Sequence, residues 1–191
     1  MRETQSDLVH PLFVERWSTR QYSDAPVPDG DFEAMLEAAR WAPSSFNAQP
    51  WHFVYSATPE ERDRIAEILV PANQAWADSA PRLAIIFSRK RFTHNDRVNG
   101  SAAFDAGSAW VSFALQAHVM GYSAHAMKGF DHEAAFDITG VPKDDFDVMC
   151  VLAVGRPAEG NEPESRSPRK ERSEMATPLA WTVKQFAEAR S

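Results

Sequence analysis

Three segments of this chain gather residue types that do chemistry. Arg16-Trp17-Ser18-Thr19-Arg20-Gln21-Tyr22 sets two guanidiniums and a hydroxyl at alternate positions. In extended backbone, residues i, i+2 and i+4 share one face, so Arg16, Ser18 and Arg20 can converge on one anion. The planar donor fork of arginine suits phosphate. A solvated basic face is the competing reading of the same spacing. Trp41 to Phe53 (WAPSSFNAQPWHF) brackets Ser, Ser, Asn and Gln between two prolines, with tryptophans on either side. Such a stiff loop presents hydrogen-bonding groups to a flat, polar-edged ligand. The same side chains can equally cap neighbouring backbone in a packed turn. The third segment, Gly121 to Asp131 (GYSAHAMKGFD), contains Gly129, which lets backbone approach a ligand closely.

The elements that position these segments follow from periodicity. Phe32, Met35, Leu36 and Ala39 predict a helix over Asp31–Ala42, ended by Pro43. His52–Ala57 reads as a strand. Thr58, Pro59 and Glu61 form a helix start with a capping box, with Ile65, Ile68 and Leu69 as its buried stripe. Arg82–Ser88 and Val148–Val154 read as buried strands, Tyr122–Met127 as a short strand, and Asp131–Ile138 as a short helix. The helix Ser101–Met120 carries two apolar stripes. One is Phe104, Ser108, Val111, Leu115 and Val119; the other is Ala106, Trp110, Phe113, Ala117 and Met120. A helix apolar on two faces needs two covers, and in a short chain a second subunit can be one of them. A central helix within one subunit is the alternative. The order of strands and helices lacks a regular βαβ rhythm, which favours an α+β fold.

Composition sets limits. A chain of 191 residues with 43% hydrophobic and 25% charged residues is an ordinary globular domain, expected as a single unit over 1–191. The net charge of −7 opposes nucleic acid or an anionic membrane as main partner. No run nears the roughly 20 apolar residues of a membrane span. The first residues lack a signal-peptide core, and the lone Cys150 excludes an internal disulfide, so a cytoplasmic location is expected. Residues 155–191 form a C-terminal extension. Its first part is rich in proline and charge, and Trp181, Val183 and Phe186 give its end something to dock. It reads as a linker that crosses a surface and anchors again.

Together the three segments resemble the nitroreductase family of flavoproteins. RWSTRQY is similar to the family's N-terminal phosphate motif, Arg-x-Ser-x-Arg/Lys. EAARWAPSSFNAQPWHF is similar to its most diagnostic stretch. The long helix followed by Gly121-Tyr122 and then MKGFD keeps the family order, as do Val154-Gly155-Arg156-Pro157 and Arg169-Lys170. The resemblance runs from about Val14 to Lys170.

The resemblance implies an α+β nitroreductase-like fold, with a mixed, mostly antiparallel central sheet flanked by helices and a C-terminal extension wrapping the dimer partner. It implies an intertwined homodimer holding two FMN molecules at the interface. Arg16 and Ser18, with Trp17 between them, would hold the phosphate and ribityl chain, and Arg20 would lie near the pyrimidine side. Pro43, Ser44, Ser45 and Asn47 would come from the other subunit. Met127, Lys128 and Gly129 would lie along the isoalloxazine, with a backbone N–H near N5. Arg169 and Lys170 would complete the phosphate site, in competition with Arg166 and Arg172. Lys128 departs from the small or acidic residue common there.

The implied activity is reduction of nitroaromatic, quinone or related acceptors by NAD(P)H, in a ping-pong scheme in which the cofactor carries the chemistry. The same fold also hosts dehalogenation, azoline oxidation, flavin fragmentation and non-catalytic flavin storage. No Gly-x-Gly-x-x-Gly is present to indicate a separate dinucleotide fold. No side chain is required as acid, base or nucleophile, and none of the six histidines forms a zinc pair. Cys150, inside an apolar strand, reads as an inert core thiol, and Phe92–Asn99 as a variable lid.

Overall fold

The structure is a computed structural model that describes residues 6–161 and 168–179. Its centre is a four-stranded sheet of β1 (Trp51–Tyr55), β2 (Arg82–Arg89), β3 (Ser123–Met127) and β4 (Phe146–Gly155), in the order β1-β2-β4-β3. Every pairing among these strands is antiparallel, so within the described residues the expected mixed sheet is antiparallel throughout. Both faces are covered. Leu83, Ile85, Phe87, Val151 and Ala153 meet α3 (Pro59–Glu67), α4 (Pro71–Ala77) and α6 (His132–Thr139). Ala84, Ile86, Leu152 and Val154 meet α2 (Asp29–Arg40) and α5 (Ala102–Val119). Burial on both faces explains why β2 and β4 read as continuous apolar runs.

Local chemistry fixes the ends of these elements. Thr58 Oγ1 accepts from the Glu61 N–H at 3.3 Å, and Glu61 returns the bond to the Thr58 N–H at 3.3 Å, completing the capping box of α3. Asp131 caps α6 by accepting from Glu133 and Ala134 N–H, and Gly140 closes it at φ 70°. β4 carries an irregularity: Ile86 pairs with Cys150 but Phe87 with Val148, leaving Met149 as the extra residue of a bulge. Met149 and Cys150 consequently pack on the same side of the sheet. β4 starts two residues before the expected Val148.

Three short helices were not expected: α1 (Pro11–Glu15), α4, and α7 (Arg172–Met175) in the C-terminal extension. The expected docking of Trp181, Val183 and Phe186 lies outside the described residues, as does Arg166. The described residues contain no helix long and apolar enough to cross a membrane and no cluster of metal-binding side chains.

Candidate functional site

β3 is an edge strand, and the residues after α1 run beside it as a strap. The strap is held by side chains rather than by a backbone ladder. Ser123 Oγ donates to the Trp17 carbonyl at 3.0 Å and accepts from the Thr19 N–H at 3.0 Å. Thr19 is fully buried, and Asn161 Nδ2 donates to its hydroxyl at 2.5 Å and to the Gln21 carbonyl at 3.1 Å. With Thr19 turned inward, its neighbours face out. Ser18 Oγ donates to the Ala124 carbonyl at 3.4 Å and accepts from Arg16 Nη1 at 3.4 Å. Tyr22, buried with its hydroxyl donating to the Ala153 carbonyl at 3.1 Å, pins the end of the strap.

Positive charge gathers here. The Arg16 guanidinium is half-buried, and burial together with the nearby Arg169 lowers its pKa. Two guanidiniums that raise each other's energy make a place where an anion is stabilised. Lys170 follows Arg169, exposed. The His125 Nδ1–H donates to the Thr19 carbonyl at 2.7 Å, and the ring stacks on Trp76 with centroids 4.5 Å apart. Arg20 is exposed, its guanidinium carbon 5.9 Å from the Trp76 ring centre. Burial pushes the His125 pKa below its usual 6.5; the Arg20 and Arg16 charges act the same way, and the Thr19 carbonyl opposes them.

The end of β3 supplies Met127, Lys128 and Gly129. The Met127 side chain is buried in the core. Lys128 Nζ donates to the Met149 carbonyl at 2.9 Å, so this cation lies against the β4 bulge. Gly129 has a packing reason to lack a side chain: a Cβ there would stand 2.8 Å from Asn73 Nδ2 and 2.8 Å from Val70 Cγ2. Asn73 Nδ2 and the Val70 N–H both donate to its carbonyl, at 2.9 and 3.1 Å. Gln74 Nε2 donates to the Ala66 and Glu67 carbonyls at 3.3 Å, at the end of α3.

Pro43, Ser44, Ser45 and Asn47 lie elsewhere. Their loop joins α2 to β1, at the sheet edge opposite β3. Phe46, Asn47 and Gln49 hold φ of 52°, 52° and 44°, a left-handed region that costs residues with a Cβ. Buried Asp105 fastens the loop by accepting from the Ser45 N–H at 3.1 Å, and Ser44 Oγ accepts from the Gln49 N–H at 3.0 Å. Asp105 is in the first turn of α5, whereas Ser123 and Ala124 follow its C-terminus. At 1.5 Å per residue, the two halves of the candidate site are about 20 Å apart along this helix. One chain does not bring them together.

Sequence reasoning missed five supporting residues. Thr19, Trp76, Ser123 and Asn161 act through tertiary contacts that leave no periodic trace. Asp105 did leave a signal, as a lone acid among the alanines of an apolar helix.

Comparison with known proteins identifies the family and the fold. The sequence model of the Nitroreductase family matches residues 14–75 and 68–156. The chain is 28% identical over 186 residues to an NADH dehydrogenase of Thermus thermophilus, covering 81% of this chain and 89% of the relative. It is 23% identical over 190 residues to the CLA biosynthesis enone reductase of Lactiplantibacillus plantarum, covering 81% and 87%. A crystal structure of an oxidoreductase containing FMN superposes with a TM-score of 0.83 at 33% identity, covering 94% of this chain and 98% of that one. With a family match that spans most of its length and a fold shared with these structures, this chain belongs to the Nitroreductase family.

Proposed function

We propose that this chain is an FMN-dependent NAD(P)H oxidoreductase that works as a homodimer, with each of two sites built from both protomers. The observation that carries the split site is α5. Its stripe of Ala106, Phe113 and Ala117 is buried in the chain's own core, while Phe104 is 82% exposed and Val119 66% exposed on the other stripe, beside exposed Val111. Phe13 next to this helix is 60% exposed. A continuous apolar strip of this kind marks an interface. Two copies of α5 packed antiparallel across a two-fold axis place the N-terminal end of one beside the C-terminal end of the other. That arrangement closes the gap of about 20 Å and brings Ser44 and Ser45 of one protomer to Arg16 and Ser18 of its partner.

The residues present fit FMN. Arg16 and Arg169 repel one another and gain from a shared phosphate, and Ser18 adds a hydroxyl beside them. Lys170 adds a further cation. The backbone of Met127, Lys128 and Gly129 follows an edge strand where a flat ring can lie. Pro43, Ser44, Ser45 and Asn47 would supply polar groups from the partner's loop, and Trp17 and Arg20 belong to the strap itself. When bound, FMN supplies hydride acceptance from NAD(P)H and electron delivery to an acceptor. The protein's part is to fix the phosphate, set charge beside the ring through Arg20, and exclude water at the interface. Donor and acceptor would use one face in turn, a ping-pong order, with nitroaromatics, quinones or related compounds as acceptors. We place the protein in the cytoplasm, where NAD(P)H is at hand, and assign the C-terminal extension to the partner's surface.

The test is colour. The purified protein should show flavin absorption bands that bleach anaerobically with NADH or NADPH and return with a quinone. Bound FMN that neither donor reduces would point to storage instead. A colourless protein that takes up no added FMN would end the proposal.

A further inference from the structure

The loop that crosses to the partner carries more than polar groups. Phe46 sits at its tip with φ 52° and ψ 24°, 82% exposed. Left-handed backbone at a residue with a Cβ is strained, and strain of this kind gathers at binding sites. It does not stand alone. Arg91 and Val98 pair across a hairpin, with the Phe92 N–H donating to the Arg97 carbonyl at 2.9 Å. From this hairpin the Phe92 ring meets Phe46 edge-on, centroids 5.7 Å apart and planes at 83°. His94 lies 5.3 Å from Phe92 and 6.0 Å from Phe46. Three rings from two loops thus form one aromatic wall beside Ser44 and Ser45.

Charge marks the same hairpin. In a chain of net charge −7, residues 89–97 hold four cationic side chains against one carboxylate. Arg97, opposite Phe92, and Arg91 are both exposed, and among the described residues no acidic side chain pairs with either.

We propose that Phe46, Phe92 and His94 form an acceptor-recognition wall that selects planar aromatic acceptors bearing an anionic group, with Arg97 meeting the charge. This rests on the flavin reading above, because the Ser44–Asn47 loop faces the ring only across the dimer. The rings supply stacking area that favours flat ligands, and their edges add geometric selection. Arg97 supplies a planar donor fork for a carboxylate or sulfonate.

The test uses redox-inert ligands on the FMN-loaded dimer: 2-naphthoate and its uncharged counterpart 2-naphthamide, by isothermal titration calorimetry. The wild type should bind both, with naphthoate favoured several-fold. Phe46→Gly suits the left-handed backbone and removes only the ring. It should weaken both ligands about tenfold. Phe92→Ala should do the same. Arg97→Gln should remove the preference for naphthoate and leave naphthamide unchanged. FMN content and dimer mass are measured for every protein. Loss of the dimer in Phe46→Gly would make the wall a subunit contact and overturn the proposal. So would unchanged binding of both ligands in a flavin-loaded, dimeric Phe46→Gly, or an Arg97→Gln protein that keeps the preference. A wild type that takes up no FMN would fail the flavin reading itself, and is told apart by its colour.

Discussion

At the residue scale, the proposed phosphate site turns on Arg16. Arg16 is half-buried and its pKa is lowered by burial and by Arg169. Removing it should weaken FMN binding by about 10- to 100-fold, the worth of one or two charge-assisted hydrogen bonds. Fluorescence-quenching titration of Arg16→Ala reads this directly, and an unchanged Kd would remove Arg16 from the phosphate site. Arg20 is a different case, exposed beside Trp76 and His125. If it lies near the negative charge of the reduced cofactor, Arg20→Ala should make the reduction potential more negative. An unchanged potential in the flavin-loaded variant would refute that placement. His125 gives a pH signature in the apo protein. Its folded pKa lies below 6.5, so between the two values the unfolded chain holds the extra proton. Stability linked to His125 is full above pH 6.5 and is lost as pH falls through the folded pKa. Urea melts of wild type and His125→Gln should diverge in that window, and parallel pH profiles would remove the effect. Cys150 behaves as its apolar strand suggested, since burial raises its pKa to about 12 and makes the thiol unreactive. The Arg-x-Ser-x-Arg spacing was legible because alternation alone decides which side chains share a face. The partners that enforce it, Ser123 and Asn161, stand 104 and 142 residues from Thr19.

At the element scale, α5 and the end of β4 carry the argument. The two stripes of α5 were visible in the sequence, and the structure sorts them, one into the core and one to the surface. Val111→Glu places a charge on the exposed stripe without touching the chain's own core. It should yield a folded monomer, with unchanged far-UV circular dichroism and half the mass by light scattering. A Val111→Glu dimer would move the interface elsewhere. The end of β4 is tighter. A Cβ on Gly155 would stand 2.6 Å from Pro81 Cδ and 2.9 Å from Tyr22 Cδ1. Gly155→Ala should therefore cost about 1–3 kcal/mol in chemical denaturation, and should loosen the strap that Tyr22 ends. Equal stability would show that Pro81 and Tyr22 yield freely. Elements with strong local signals, such as the capped α3 and the apolar β2, were legible. The five-residue α1 and seven-residue α4 were not, because each is too short to show a period and depends on tertiary packing. The bulge at Met149 was hidden for the opposite reason, since β4 is apolar on both faces and offers no alternation to break.

At the scale of the whole molecule, the separation of the two half-sites would tie assembly to cofactor in the proposed dimer. Ser45 is fastened to the first turn of α5 and Ser18 to the strand after its last turn, so in the proposed dimer each FMN would draw on both protomers. A ligand that needs both halves binds the dimer and not the monomer, and mass action then couples the two equilibria. Added FMN should lower the dimer dissociation constant, and diluting the protein should weaken apparent FMN affinity. FMN at 100 times its Kd should stabilise the folded dimer by about 2.7 kcal/mol per site. The Tm of the apo protein should rise with both FMN and protein concentration. The Val111→Glu monomer isolates the coupling, because it keeps Arg16, Ser18 and Arg169 but loses the partner's loop. It should bind FMN far more weakly at any concentration and should purify without colour. A monomer that keeps full FMN affinity would show that the strap and β3 suffice, and would separate cofactor binding from assembly.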